Sequence, residues 1–509
     1  MIDQTTGKPI DGSPLGLLLT EQARLRGDAP AFTIGAVTTS FADLERLANR
    51  RARHLQAFGL KAGDQVVLAM PNRIEFIECA YALWKIGAVP CPVSHRMAQS
   101  EFGEVLALSG PACVIGTKAI ATGRVSLYDI EAMTPLPASL CDDPMPHAIS
   151  TPGKILNSGG STGRPKLIVD PIPSIWGPDK LGRDRHPGMT LLNPSPLYHS
   201  APFNTCTMAL AEGTHVICME RFDAGDWLAT IEQYLVDYAY VVPTMMSRIA
   251  RLPEKVTASA ELSSIKTLLH MAAPCPPDIK RWWIARLGGG KVVEVYGGTE
   301  RIGVTSIDGS EWLRHPGSVG KAAVGQEIVI ADALGVPLPV GEIGEIHFRK
   351  PGGVPQSYAY IGAQDRKRGD TDSFGDMGWL DQDGYLYIAD RRTDMVLVGG
   401  VNVYPSEIEA AVETIPGVLC CAVIGLPDSD MGNRLHAIVE LADGAPEPSD
   451  AAVFLQPAAD LLSGLKRPRS VEFTRERIRD DTGKVRRSAL REARVQSGIQ
   501  DHGSAGKLG

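Results

Sequence analysis

No apolar run in this chain approaches the length of a membrane span, so a membrane-inserted protein is not expected. The opening stretch MIDQTTGKPIDG has neither a basic n-region nor an apolar h-region, which argues against a secretory leader. The nine cysteines are odd in number and scattered without a CxxC pair. That argues against a bridge framework or a zinc site and leaves reduced thiols in a cytoplasmic protein as the expectation. A basic excess is missing too: 51 Lys and Arg against 59 Asp and Glu give a formal charge of -8, which offers no field for nucleic acid or an anionic membrane. Repeats and low-complexity tracts are absent. What is there is length: 509 residues with 44 % hydrophobic content can bury two or more cores, so a multidomain chain is expected.

The most informative stretch is LNSGGSTGRPKLI, from Leu156 to Ile168. Gly159, Gly160 and Gly163 let the backbone turn tightly and aim its amides at a ligand. Ser158, Ser161 and Thr162 add hydroxyl donors, and Lys166 adds a positive charge. Together they make a phosphate cradle. The GK[ST] ending of the nucleoside triphosphatase loop is missing, because Pro165 separates Arg164 from Lys166. A Gly/Ser-rich linker is the plainer alternative for this segment alone. Four further stretches weigh against it: VVEVYGGTERIG (Val292 to Gly303), GWLDQDGYLYIADRRTDM (Gly378 to Met395), GGVNVYPSEIE (Gly399 to Glu409) and DTGKVRR (Asp481 to Arg487).

These five stretches, in this order, resemble the adenylate-forming superfamily that contains acyl-CoA synthetases, peptide-synthetase adenylation domains and luciferases. The resemblance covers the chain from about Leu18 to Arg494. It implies a large amino-terminal domain and a small, mobile carboxy-terminal domain with the active site between them. Periodicity agrees with an α/β class. Apolar strands such as QVVLAM (Gln65 to Met70) alternate with amphipathic helices such as Ile74 to Gly87, as in parallel sheets covered by helices. Ser40, with Asp43 three places on, reads as a helix cap. From Gln326 the pattern turns to strands without helices, an antiparallel or barrel-like subdomain. The expected division is therefore 1–391 for the large domain of stacked helix-covered sheets, with 325–390 as the barrel-like subdomain, 392–495 for the α+β domain, and a disordered tail over 496–509.

Activating a carboxylate with ATP requires holding the triphosphate, aligning the carboxylate with the α-phosphorus and neutralising the developing phosphoryl charge. Read alone, Glu300 is as much a turn residue as a ligand for Mg²⁺, a hard ion that prefers oxygen. Gly297 and Gly298 allow close approach of a cofactor, and the resemblance assigns Glu300 to Mg²⁺, Thr299 to the α-phosphate, Tyr296 to the adenine face, and Ala272, Ala273 and Pro274 to the adenine-flanking strand exit. It assigns the ribose hydroxyls to Asp376 and Arg391. Lys484 would be a surface lysine by type, but the resemblance makes it the catalytic lysine that enters the site during adenylation and swings out afterwards. His199 resembles the gate between the acyl pocket and the thiol tunnel, and Gly399 with Gly400 the strip lining that tunnel.

The pattern is broken in places. Gly159 stands where a second hydroxyl is usual, Leu167 where glycine follows the lysine, Thr393 at the hinge where Asp or Lys is common, and Ile478 in place of a proline. The expected activity is conversion of a bulky apolar acid, ATP and coenzyme A to acyl-CoA, AMP and pyrophosphate, with Mg²⁺ as the ion. The GGSTGRPKLI wording resembles the branch acting on bile acids and other polycyclic acids. The acyl pocket is expected around Trp176, His199 to Asn204, Tyr240 to Met246, Met271 and Gly297. Alternatives are an enzyme that uses a supplied acyl-adenylate, one loading a carrier-protein thiol, a luciferase-type oxidation, and a nucleotide-binding regulator without chemistry. A monomer and a homodimer are both compatible with the sequence.

Overall fold

The computed structural model of the chain describes residues 12–496, apart from 119, 121, 160–164, 177–185, 350–357, 392–393, 400, 429, 460, 463 and 481–482. The tail expected over 496–509 therefore lies outside the described residues except for its first position. So does Thr393.

Two sheets, one parallel and one mixed, make up most of the amino-terminal part. In the four-stranded sheet, Gln65–Ala69 runs parallel to both Val89–Pro92 and Cys113–Gly116, with Ser126–Asp129 at one edge. Three of its strands, Gln65–Ala69, Val89–Pro92 and Cys113–Gly116, are buried along almost their whole length, whereas Ser126–Asp129 is exposed at its start. The helix Phe41–Ala57 starts as read: Ser40 Oγ accepts from the Asp43 amide at 3.0 Å, and Leu44, Ala48, Ala52 and Leu55 are fully buried.

The second unit is a thirteen-stranded sheet. Thr190–Asn193, Tyr238–Val241, Thr267–His270 and Val292–Gly297 lie side by side in that order and parallel. Beyond Val292–Gly297 every pairing is antiparallel, through Val304–Asp308 and Ser318–Ala322 to Leu386–Arg391, Thr371–Leu380, Gly344–Arg349 and Glu327–Ala331. The helix-free pattern read from Gln326 onward corresponds to this antiparallel end. Its strands continue the large sheet edge-on through Ser318–Ala322.

Four segments leave the carboxyl ends of adjacent parallel strands. Ligands of open α/β sheets bind in that crevice, because helix amino termini and strand exits converge there. The helix after Thr190–Asn193 begins at Ser200 and tolerates Pro202 in its first turn, because the proline removes only an amide that has no intrahelical partner.

The carboxy-terminal part has its own core, in which Val403, Ile408, Val412, Cys421, Ala437 and Val439 are buried. Its sheet pairs Val418–Asp428 antiparallel with Gly432–Leu441, and the latter parallel with Ser470–Thr474. A closing helix, Arg487–Gln496, is amphipathic and was not anticipated from the sequence. Its Arg487 is fixed by Asp394 at 2.7 Å and by both oxygens of Glu409.

Candidate active site

The phosphate-loop sequence forms an antiparallel hairpin, Lys154–Gly159 with Pro165–Asp170, in which Ser158 pairs with Lys166 and Gly159 with Pro165. Gly160, Ser161, Thr162 and Gly163 lie outside the described residues. The hairpin root is anchored by Asp170, which accepts from Lys154 Nζ at 2.7 Å and from Arg301 Nη1 at 3.1 Å. Burial raises the Asp170 carboxyl, and the two cations override it, so the group ends below the ordinary carboxylate range.

Arg301 follows Glu300, so the same contact ties the hairpin to the turn after Val292–Gly297. Glycine is required in this turn by close approach. A Cβ on Gly298 would lie 2.4 Å from the Phe374 ring, and one on Gly303 would lie 2.0 Å from Phe348. Glu300 is thereby held 8 % exposed, with Lys166 Nζ donating to its Oε1 at 3.2 Å. Burial raises the Glu300 carboxyl, but Lys166 and a hydrogen bond from Tyr360 override it and the net shift is downward. Tyr360 lies in a short strand, Ala359–Ile361, paired with Pro165–Asp170. It was missed in the sequence because neither that pairing nor a contact spanning 194 residues has a local signature.

Tyr296, four residues before Glu300, donates from its hydroxyl to Asp376 Oδ2 at 2.7 Å. Its ring is edge-on to Phe374 at 5.8 Å. Asp376 is paired in register with Arg391 across Thr371–Leu380 and Leu386–Arg391, so the two residues read as ribose-binding occupy facing strand positions. Thr299 is half-buried beside Glu300.

At the exit of Thr267–His270, Ala272 has φ 79°, a left-handed conformation that alanine adopts only under strain, and it is exposed. Such strain collects at functional sites. Ala273 is half-buried and Pro274 exposed beside it.

Lys484 comes from the carboxy-terminal part. Its turn is closed by Asp480, whose Oδ1 accepts from the Lys484 amide at 3.0 Å and whose own amide donates to the Lys484 carbonyl at 2.9 Å. Arg479 anchors the turn, donating to Glu413 at 2.9 Å and to the Gly483 carbonyl at 3.1 Å. Gly483, at φ 79°, lies so close to the large domain that a Cβ there would be 3.4 Å from Thr244 and 3.9 Å from Ala273. Arg486 adds an ion pair to Glu101 at 3.3 Å. The turn also faces His199. Burial drives that imidazole down to about 4, the Asp480 carboxylate opposes the shift and the Lys484 ammonium adds to it. His199 is therefore neutral near pH 7, at the amino terminus of Ser200–Ala211 and 4.5 Å from the Tyr198 ring.

Two expectations need correction. Trp176 does not line this crevice: its indole donates to Glu212 at 3.1 Å at the far end of Ser200–Ala211, about 20 Å from His199 at 1.5 Å per residue. In Tyr240 to Met246, Thr244 faces the Lys484 turn, whereas Tyr240, Val242, Met245 and Met246 belong to the core beneath. Gly399 sits elsewhere, in the hairpin joining Val396–Val398 to Val401–Val403. Its φ is 55° and its amide donates to the Met431 carbonyl at 2.9 Å. Gly400 lies outside the described residues.

The crevice thus brings together Lys166, Glu300, Thr299, Tyr296, Asp376, Ala272, Ala273, His199 and Lys484. It offers cations and a carboxylate for a metal–phosphate group, an aromatic wall with an acidic acceptor for a nucleoside, and a lysine delivered from a second unit. Comparison with known proteins agrees. The family described as AMP-binding enzyme matches residues 19–358, and its C-terminal domain matches residues 407–484. A feruloyl-CoA synthase of Amycolatopsis sp is 32 % identical over 503 residues, covering 94 % of this chain and 98 % of that protein. A long-chain-fatty-acid–CoA ligase of Mycobacterium tuberculosis is 30 % identical, with 94 % and 98 % covered. The o-succinylbenzoate CoA synthetase of Bacillus subtilis in complex with its acyl-adenylate has the same fold, with a TM-score of 0.81 at 22 % identity over 98 % of this chain and 100 % of that one. The chain belongs to the AMP-binding enzyme family, as an AMP-forming acyl-CoA synthetase.

Proposed function

We propose that this chain adenylates a bulky, mostly apolar carboxylic acid of steroidal, terpenoid or polycyclic type and transfers the acyl group to coenzyme A. Adenylate-forming CoA ligases use ATP, Mg²⁺ and CoA. The observation that carries the reading is the Lys484 turn. It comes from the carboxy-terminal part and lies against Thr244 and Ala273 while facing His199, at the strand exits that also present Thr299 and Glu300.

In the first half-reaction the acid's carboxylate oxygen attacks the α-phosphorus, the bond to the bridging oxygen breaks, and pyrophosphate leaves. Lys484 orients the carboxylate and balances charge growing on the α-phosphate. Thr299 donates to an α-phosphate oxygen, and Lys166 holds the outer phosphates together with the amides and hydroxyls of 158–163. Tyr296 walls the adenine alongside Gly297 and the Ala272–Pro274 exit, while Asp376 and Arg391 take the ribose hydroxyls. Glu300 fits Mg²⁺, being an ionised carboxylate in the crevice beside a phosphate-binding lysine, and the ion would neutralise phosphate charge there.

In the second half-reaction the CoA thiolate attacks the acyl carbonyl and AMP leaves. Lys484 then withdraws and the strip at Gly399 and Gly400 guides the pantetheine arm past His199. With its pKa pushed down to about 4, His199 is too weak a base to help the thiol and suits a gate, and a thiol with a pKa of about 8.5 ionises appreciably unaided. The acid's size is supported by the small residues Ser200, Ala201, Ala272 and Ala273 at the crevice, where the half-buried Met271 adds apolar surface.

The test is a mass-spectrometric screen with ATP, Mg²⁺ and CoA against polycyclic, terpenoid, hydroxycinnamic and long-chain acids, reading pyrophosphate, acyl-AMP and acyl-CoA separately. Preference for the polycyclic or terpenoid set supports the substrate class, and preference for the other acids overturns it. Conversion of synthetic acyl-adenylates without pyrophosphate release from any acid would show that the adenylating half is lost, with Gly159 its first suspect.

A further inference from the structure

Tyr360 stands at the meeting point of two residues whose charges the reaction must use separately. It lies opposite Ile168 across the pairing of Ala359–Ile361 with Pro165–Asp170, so Lys166, two positions from Ile168, is its diagonal neighbour on the same face. Its hydroxyl donates to Glu300 Oε1 at 2.6 Å and accepts from Lys166 Nζ at 3.0 Å. The Lys166 ammonium also sits 4.2 Å from the centre of its ring. Tyr358 braces the ring edge-on at 4.8 Å and is itself held by donating to Asp372 at 3.1 Å.

Glu300 Oε1 therefore receives two donors, one charged and one neutral. A Lys166–Glu300 pair alone has a defect. When Lys166 turns to the phosphates, the carboxylate loses the group that orients it at the moment it is needed. A neutral hydroxyl can stay. We propose that Tyr360 is a positioning residue for nucleotide loading, holding Glu300 Oε1 so that Oε2 is presented to Mg²⁺, and cradling Lys166 until phosphate draws it away. This rests on the assignment of Glu300 and Lys166 to the metal–phosphate group made above.

The experiment measures ATP binding to the full chain by calorimetry with EDTA and across a Mg²⁺ series, and compares the affinity gained on adding Mg²⁺. Tyr360→Phe keeps the ring and removes the oxygen. It should cut the Mg²⁺-induced gain about tenfold, the loss of one hydrogen bond to a charged group, while changing Mg²⁺-free ATP binding less than about twofold. Tyr358→Phe, which deletes from the residue just before Ala359–Ile361 a hydroxyl that bonds Asp372 rather than Glu300, should behave as wild type. Lys166→Met should weaken ATP binding under both conditions yet keep the Mg²⁺ gain, because Tyr360 still holds the carboxylate. This second variant decides the matter should Tyr360→Phe fail to fold. An unchanged Mg²⁺ gain in Tyr360→Phe, or its loss in Lys166→Met, overturns the proposal. Failure of Glu300→Gln to reduce the gain would instead overturn the site assignment beneath it.

Discussion

Replacing Tyr296 by phenylalanine removes one oxygen and leaves the aromatic wall. The ring keeps its contacts with Phe374 at 5.8 Å and Phe348 at 6.3 Å, so packing is unchanged. What disappears is the 2.7 Å hydrogen bond to Asp376, a group only 7 % exposed. A bond to an ionised acceptor contributes about 1.5 to 3 kcal/mol, and at the lip of a crevice water can replace part of it, which selects the lower figure. About 1.5 kcal/mol corresponds to about a tenfold change. If Asp376 holds the ribose, the loss falls on nucleotide binding. KM for ATP should rise about tenfold in pyrophosphate exchange, with KM for the acid unchanged and conversion of preformed acyl-adenylate little affected. In an Asp376→Ala background, which removes the acceptor, the same substitution should cost much less, since the two share one interaction. A KM for ATP within twofold of wild type would refute the reasoning.

Asp480→Ala removes the acceptor that closes the Lys484 turn, so adenylation should fall about fivefold, for a loss of about 1 kcal/mol, while thioester formation from acyl-adenylate stays within twofold. Lys280→Met leaves the buried Glu294 carboxylate without its cation and should cost about 3 to 5 kcal/mol by chemical denaturation, most of it recovered in the Lys280→Met/Glu294→Leu double variant. His215 is pushed down to about 4 by burial, with Thr33 Oγ1 2.7 Å from its Nε2. Between that value and the unfolded value near 6.5 the unfolded chain binds the extra proton, so its stability contribution is complete above pH 6.5 and lost as pH falls towards 4. The loss should approach about 3 kcal/mol, and His215→Gln should flatten that limb of the pH–stability curve.

What could be read from sequence was local. Ser40 and Asp43 mark the start of a helix because a cap acts across three residues. The strand Gln65–Ala69 announces itself by an apolar run that double-sided burial explains. The hairpin bearing Lys166 and the turn bearing Glu300 were recognisable as motifs, but their contact spans 134 residues and follows from sheet order, which no local pattern encodes. Tyr360 escaped notice for the same reason. Trp176 misled because an aromatic near the phosphate loop in sequence turned out to pair with Glu212 at the opposite end of a helix. Asp480 looked like one acid among several, and its role as the closure of the Lys484 turn depends on backbone geometry. The start of the helix Ser200–Ala211 is hidden because proline in a first turn looks like an interruption when the turn itself is not yet known.

The central claim is that one crevice runs two half-reactions and that Lys484 serves the first of them. The direct test is to follow Lys484→Ala through both halves separately, using pyrophosphate exchange with the best acid and conversion of its synthetic acyl-adenylate with CoA. The account predicts a fall of about a hundredfold or more in exchange, the scale of losing a charge-stabilising donor in a transition state, with thioester formation within a few-fold of wild type. Equal losses in both halves, or an exchange rate left intact, would contradict it.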